Sequence, residues 1–180
     1  IMEDVLQLAR IQANRVEFNP SFGDLDALCL EIVEEYESQI DYQGRIDYTS
    51  TDSPLTAFFD ERLMHQVIGN LISNALKYSA QEKSITVSLG QNAEAIVLTV
   101  KDEGIGIPPE DLKHLFEPFH RAKNVGTISG TGLGLSIAKQ AVELHGCTLT
   151  IDSTLGTGTT FILTMPIASM KDEPKDELHD

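Results

Sequence analysis

The sequence predicts a two-layer α/β sandwich, with one mostly antiparallel sheet covered by helices on one face. Three observations predict it. Helical and alternating segments follow one another in mixed order, without the regular strand–helix alternation of a parallel sheet. Two pairs of strand candidates are joined by short turn-like links, GQNAE and TLGTG. The chain of 180 residues, 41% of them hydrophobic, closes one substantial core with a short appendage at either end.

Taken in order, residues 1–14 (IMEDVLQLARIQAN) place Val5, Leu6, Leu8 and Ile11 at mixed helical spacing. They read as a helix short of partners for its apolar side. The stretch VEFNPSF is extended and punctuated by Pro20. Asp24 then caps a helix running to about Ser38, with Leu25, Leu28, Cys29, Ile32 and Val33 on one face. Strands at Arg45–Thr49 and Leu55–Phe59 flank a polar turn at 50–54. Asp60 caps a longer helix, DERLMHQVIGNLISNALKY, whose apolar face includes Leu63, Val67, Leu71 and Ala75. Strands follow at Ser84–Leu89 and Ala95–Asp102. A Gly- and Pro-containing loop comes next, with a short helix near Pro109–Leu115. A helix at Gly132–His145 and strands at Thr148–Ser153 and Thr159–Met165 complete the pattern, before an acidic tail.

Charge narrows the function. Thirteen Lys and Arg against 28 Asp and Glu leave a net charge of −15, which argues against nucleic acid and against docking on anionic lipid. Cys29 and Cys147 lie in apolar contexts without a CxxC or Cys/His cluster, so they read as buried reduced thiols rather than zinc ligands. No apolar run approaches a membrane span and no signal peptide opens the chain; its start at Ile1 suggests a piece of a longer protein. A cytoplasmic setting is expected, with a membrane anchor allowed elsewhere in the full-length protein.

Four segments carry chemistry. On the long helix, Gln66, Asn70, Asn74 and Lys77 fall at i, i+4, i+8 and i+11, one polar stripe opposite the apolar one. Such a stripe suits water; two carboxamides and an ammonium also suit a magnesium–phosphate group. Asp102–Glu103–Gly104–Ile105–Gly106–Ile107 lies at the end of a strand: its glycines allow close backbone approach to a flat ligand, and its carboxylate can accept from an exocyclic amine. An ordinary Gly-rich turn would read the same way. Gly130–Thr131–Gly132–Leu133–Gly134–Leu135 opens a helix, where free N–H groups and the dipole favour phosphate. It matches neither a Walker loop nor the dinucleotide fingerprint. Gly156–Thr157–Gly158–Thr159–Thr160–Phe161 reads alone as a hairpin turn.

In this order the four segments resemble the N, G1, G2 and G3 boxes of the histidine-kinase branch of the GHKL ATPase and kinase superfamily. Leu115–Phe116–Glu117–Pro118–Phe119–His120–Arg121 resembles its F box, although many relatives carry a basic residue where Pro118 stands. The resemblance implies the Bergerat α/β sandwich and binding of ATP with Mg²⁺. It implies that Asn74 coordinates Mg²⁺ with Asn70 beside it, that Lys77 reaches the phosphates, and that Tyr78 lies near the nucleotide. Asp102 would bind the adenine amine over a floor shaped by Gly104 and Gly106. Gly130, Thr131, Gly132, Leu133, Gly134 and Leu135 would serve the phosphates, and Thr160 the base. Residues 108–131 would form a mobile lid whose Arg121, among Lys113, Arg121 and Lys123, contacts the γ-phosphate. Asn70, Lys77 and Arg121 would be the catalytic set.

The resemblance also divides the chain. Residues 1–14 would end a dimerisation helix, 15–166 form the catalytic ATP-binding domain, and 167–180 a tail or linker. None of His65, His114, His120, His145 and His179 has the phosphoacceptor context, so each is expected in a surface or core role. The expected partners are the protein's own dimerisation and phosphoacceptor domain and a response-regulator receiver domain. The fragment is expected to be monomeric and the full-length protein a homodimer. In the hydrolytic relatives the residue four before the magnesium Asn is usually Glu; Asn70 lacks a basic lone pair, which favours transfer to histidine over hydrolysis. A GHKL-type ATPase and a non-catalytic scaffold are the competing readings.

Overall fold

Asp24 and Asp60 start the two long N-terminal helices, and the sheet forms where apolar and polar residues alternate. The computed structural model describes residues 16–126, 128 and 130–167. The helix expected over 1–14, and the expected tail apart from its first residue, lie outside the described residues.

β1 (Ser21–Asp24) leads into α1 (Leu25–Glu37), whose N-cap Asp24 accepts from Asp26 N with Oδ1 and also from Leu55 N. β2 (Ile46–Ser50) and β3 (Thr56–Phe59) follow, then α2 (Glu61–Tyr78). Asp60 caps α2 from both sides: Oδ1 accepts from Leu63 N at 3.0 Å and Oδ2 from Asn19 N at 2.8 Å. β4 (Ile85–Gln91) and β5 (Ala95–Asp102) form a hairpin. The short α3 (Pro109–Leu112) and a one-turn 3-10 helix (Lys123–Val125) precede α4 (Gly134–Leu144), β6 (Thr148–Thr154) and β7 (Gly158–Pro166).

The main sheet has the order β2-β4-β5-β7-β6, antiparallel except for the parallel β2–β4 pair. A separate ribbon pairs β1 with β3. The strands flanking the 50–54 turn therefore part into different sheets. The register lines Tyr48, Val87, Val100, Phe161 and Ile151 across all five strands in one row. A second row runs through Leu89, Leu98, Leu163 and Leu149. These rows meet the helices, while their strand neighbours such as Thr86, Lys101 and Thr150 face out. α2 carries the largest share, with Leu63, Met64, Val67, Ile68, Leu71, Ile72 and Leu76 all at 2% exposure or less. Each such side chain contributes about 1.5–3 kcal/mol of burial. Cys29 and Cys147 are buried thiols as expected, each pushed up to about 12 by desolvation.

One buried cation fixes the exit of α2. The Arg45 guanidinium donates to the carbonyls of Leu76, Ala80 and Lys83, satisfying a last-turn carbonyl that has no intrahelical donor. Just past it, Ile105 N donates to Tyr78 O at 3.2 Å, tying the end of α2 to the loop after β5.

Candidate functional site

The apolar stripe of α2 is pinned to the sheet, so its polar stripe must face the opposite way, towards α4 and the 103–131 segment. There a cavity of about 310 Å³ opens, large enough for a small ligand. Gln66, Asn70, Asn74 and Lys77 all line it. The stripe is therefore a cavity wall rather than a water-facing surface.

Asp102 enters from the end of β5 and is 5% exposed. Its Oδ1 accepts from Gly104 N at 2.8 Å and Thr159 N at 3.2 Å, leaving Oδ2 to accept from a ligand. Burial raises its carboxyl above the usual aspartate range, and the two backbone donors offset part of that. Gly104 does not itself line the cavity. A Cβ there would stand 2.3 Å from Tyr78 O, so glycine is what lets the loop close on α2. Gly106 does line the cavity, at φ 63, and a Cβ would meet Thr154 O at 2.1 Å.

The cavity also has a cationic lining. Lys77 and Arg121 both line it, whereas Lys113 and Lys123 do not. Burial first, and then the Arg121 charge, lower the Lys77 ammonium from its ordinary range, as expected of two cations crowded without an anion. The same burial raises the Tyr78 phenol, with Arg121 pulling the other way. Arg121 also donates to Ile128 O. Gly130, Thr131, Gly132, Gly134 and Leu135 line the cavity beside this pair. The N-cap residue of α4, Leu133, makes no side-chain cap hydrogen bond, which leaves backbone donors at the helix start for an anion. A Cβ on Gly134 would come within 2.9 Å of Asn70 Oδ1, so a side chain there would displace the Asn70 carboxamide from its place.

Besides Gly104, two expected contacts fall elsewhere. Leu133 is fully buried against Ile137 and is not a cavity residue. Thr160 is replaced by its neighbour. The Asp102↔Thr159 register places the buried Thr159 on the cavity face, so Thr160 points to the other side of the sheet.

The cavity also holds residues to which the sequence assigned no contact with a ligand. Ile105, Ile107 and Phe161 give it an apolar wall, and Ser73, His120 and Asn124 add polar atoms. His120, expected in a surface or core role, lines the cavity with Nε2 3.5 Å from Asp111 Oδ1, within ion-pair reach but unbonded. The segment from α3 to Thr131 closes this side. Lys123 N donates to Asp111 Oδ2, Phe119 N to Gly132 O, and Asn124 Nδ2 to Gly106 O.

A cavity that combines an apolar wall and a buried carboxylate with two cations and a run of glycines suits a nucleotide with several phosphates. The model of the histidine kinase-, DNA gyrase B- and HSP90-like ATPases matches residues 59–169, more than half of the chain and every segment of this cavity. The chain belongs to that family. Its relatives in sequence include sensor proteins. The sensor histidine kinase WalK of Bacillus subtilis is 34% identical over 98% of this chain, and the sensor protein SrrB of Staphylococcus aureus 33% identical over 92%. The chain spans about a third of each, 30% and 29% of their lengths. Among solved structures, the nucleotide-free catalytic domain of histidine kinase ThkA is similar at TM-score 0.71 and 26% identity, over 82% of this chain and 97% of that one. The sandwich expected from the sequence is thus the fold of histidine kinase catalytic domains, and ATP is the ligand of this family. Among the described residues no helix is long and apolar enough to cross a membrane.

Proposed function

We propose that this domain transfers the γ-phosphoryl group of Mg·ATP to a histidine on a dimerisation domain outside this chain. A response-regulator receiver domain takes the group next. The observation that carries this reading is Asn70, a carboxamide on the cavity-facing stripe beside Asn74 and Lys77. A carboxamide cannot deprotonate water, whereas a neutral imidazole is already nucleophilic and needs no base. The naming of the relative WalK as a sensor histidine kinase supports transfer over hydrolysis.

Asp102 Oδ2 would accept from the adenine amine; the guanine carbonyl in that place would face a carboxylate with no proton between them. Asn74, with Asn70 beside it, would hold Mg²⁺ through its carboxamide oxygen. These hard oxygen donors fit Mg²⁺, which keeps waters and phosphate oxygens instead of demanding an all-protein cage. Consistently, no cluster of three or more His, Cys, Asp and Glu occurs among the described residues. Bound there, the metal supplies neutralisation of phosphate charge. Lys77, Arg121 and the α4 N-terminus hold the phosphates so that an imidazole nitrogen can attack the γ-phosphorus in line as the bond to the β-phosphate oxygen breaks. ADP leaves, and the imidazolium proton goes to solvent. In the whole protein two such domains work within a homodimer on the cytoplasmic side, while this domain alone is monomeric.

The test supplies a separate dimerisation domain carrying the histidine, together with γ-labelled ATP. Slow labelling of that domain is expected, acid-labile and base-stable, and abolished by Asn74→Ala. Stoichiometric labelling of this chain alone, or phosphate release that needs no acceptor, overturns the reading.

A further inference from the structure

His145 caps the C-terminus of α4, and its ring touches three parts of the fold at once. Nδ1 lies 2.6 Å from Ala141 O, and Nε2 lies 3.0 Å from Asp60 N. A carbonyl can only accept and a backbone N–H can only donate. The two bonds together therefore admit one form of the ring, the neutral imidazole with its proton on Nδ1 and a lone pair on Nε2. Asp60 is the N-cap of α2, and its Oδ2 accepts from Asn19 N at 2.8 Å. The segment 16–20 is held at this place twice more. The Phe18 ring stands edge-on to the His145 ring at 4.9 Å, and Arg62 Nη2 donates to Glu17 O at 3.0 Å.

α2 and α4 pack side by side. Gly134, at the start of α4, adjoins Asn70 of α2, whereas His145, at its end, bonds to Asp60 at the start of α2. The two helices thus run antiparallel, with one end of the pair lining the cavity through Asn70, Gly134 and Leu135. The other end receives the chain that enters from residues 1–14. Because a helix moves as a rigid element, a shift of the α4 C-terminus against Asp60 is passed on to Gly134 against Asn70. We infer that His145 is a positioning residue. Through its neutral ring it ties the entering chain to the helix pair that holds the nucleotide, so that the place of that chain and the occupancy of the cavity influence each other. This goes beyond the transfer reading and rests only on ATP binding in the cavity.

The experiment uses the whole chain. Without ligand, the nitrogen NMR shifts of the His145 ring should show a protonated Nδ1 and a bare Nε2, the opposite of the tautomer that water favours. The Nε2–H tautomer would overturn the inference and leave the ATP reading standing. Saturating Mg·ATP should then slow hydrogen exchange of the Asn19 amide by about two- to thirtyfold, read while the amides of β5 stay protected. His145→Gln keeps an acceptor at the Nε2 position and should retain most of that response. His145→Leu keeps bulk without an acceptor and should lose the response while still binding Mg·ATP. Asn19 exchange that ignores Mg·ATP in the parent overturns the inference, however the variants fold. A full response in His145→Leu also overturns it, because the coupling then bypasses the ring. A parent that binds no Mg·ATP would sink the nucleotide reading itself, and this inference with it.

Discussion

Replacing Asp102 by asparagine keeps the shape of the side chain but exchanges one carboxylate oxygen for an amide that can only donate. Oδ1 already serves Gly104 N and Thr159 N, at 2.8 and 3.2 Å. The asparagine oxygen must stay with those donors or leave two backbone N–H groups unsatisfied. The new amide then meets the adenine amine donor to donor. The loss is one buried, charge-assisted hydrogen bond, about 1–3 kcal/mol or roughly 5- to 150-fold in Kd. Calorimetry on parent and Asp102→Asn with Mg·ATP and Mg·GTP reads it. The parent should prefer ATP, and the variant should lose most of that preference while the unliganded protein melts near the parental temperature. Acidification gives a second readout. Because burial raises the Asp102 carboxyl, its protonation begins at a higher pH than that of an exposed aspartate. The protonated form loses its acceptor character, so ATP affinity should fall as pH drops through that raised value, and Asp102→Asn should lack this limb. The same shift makes folding of the unliganded protein slightly less favourable above the raised value and relieves that cost below it. Equal affinity of the parent for ATP and GTP, or a parental Kd in Asp102→Asn, would refute the assignment.

Three further outcomes are expected. Asn74→Ala should damage Mg-dependent nucleotide binding more than Asn70→Ala; parental binding by both would return the stripe to a mere surface. Limited proteolysis should cut near Arg121–Lys123 and slow when Mg·ATP is added, since phosphate gives Lys77 and Arg121 the anion they lack; equal rates with and without ligand count against a lid. Gly106→Ala should lower stability by at least about 2 kcal/mol, because its Cβ would combine a left-handed φ with backbone overlap at Thr154 O. An unchanged denaturant midpoint would show that the loop yields instead.

The sequence by itself determined the local elements and the chemistry they carry. Asp24 and Asp60 cap helices because a short side-chain acceptor reaches the next free N–H groups, and that signal is complete within four residues. The 3.6-residue period put Asn70, Asn74 and Lys77 on the stripe opposite Leu63, Val67 and Leu71, so burying one stripe necessarily presented the other. Tertiary structure decided what no local period encodes. Alternation marks β2 and β3 as strands but does not choose partners, and long-range pairing sent one beside β4 and the other beside β1. Side chains on a strand change face at every residue, so the Asp102↔Thr159 register gave the cavity Thr159 and turned Thr160 away. Leu133, inside a glycine-rich run that reads as a phosphate loop, was drawn into the core beside Ile137. His120 and Asn124 became cavity residues because the chain between α3 and α4 folds back and is held at Asp111, Gly106 and Gly132. Those bonds join residues 12, 18 and 13 positions apart, beyond the reach of any helix or strand period.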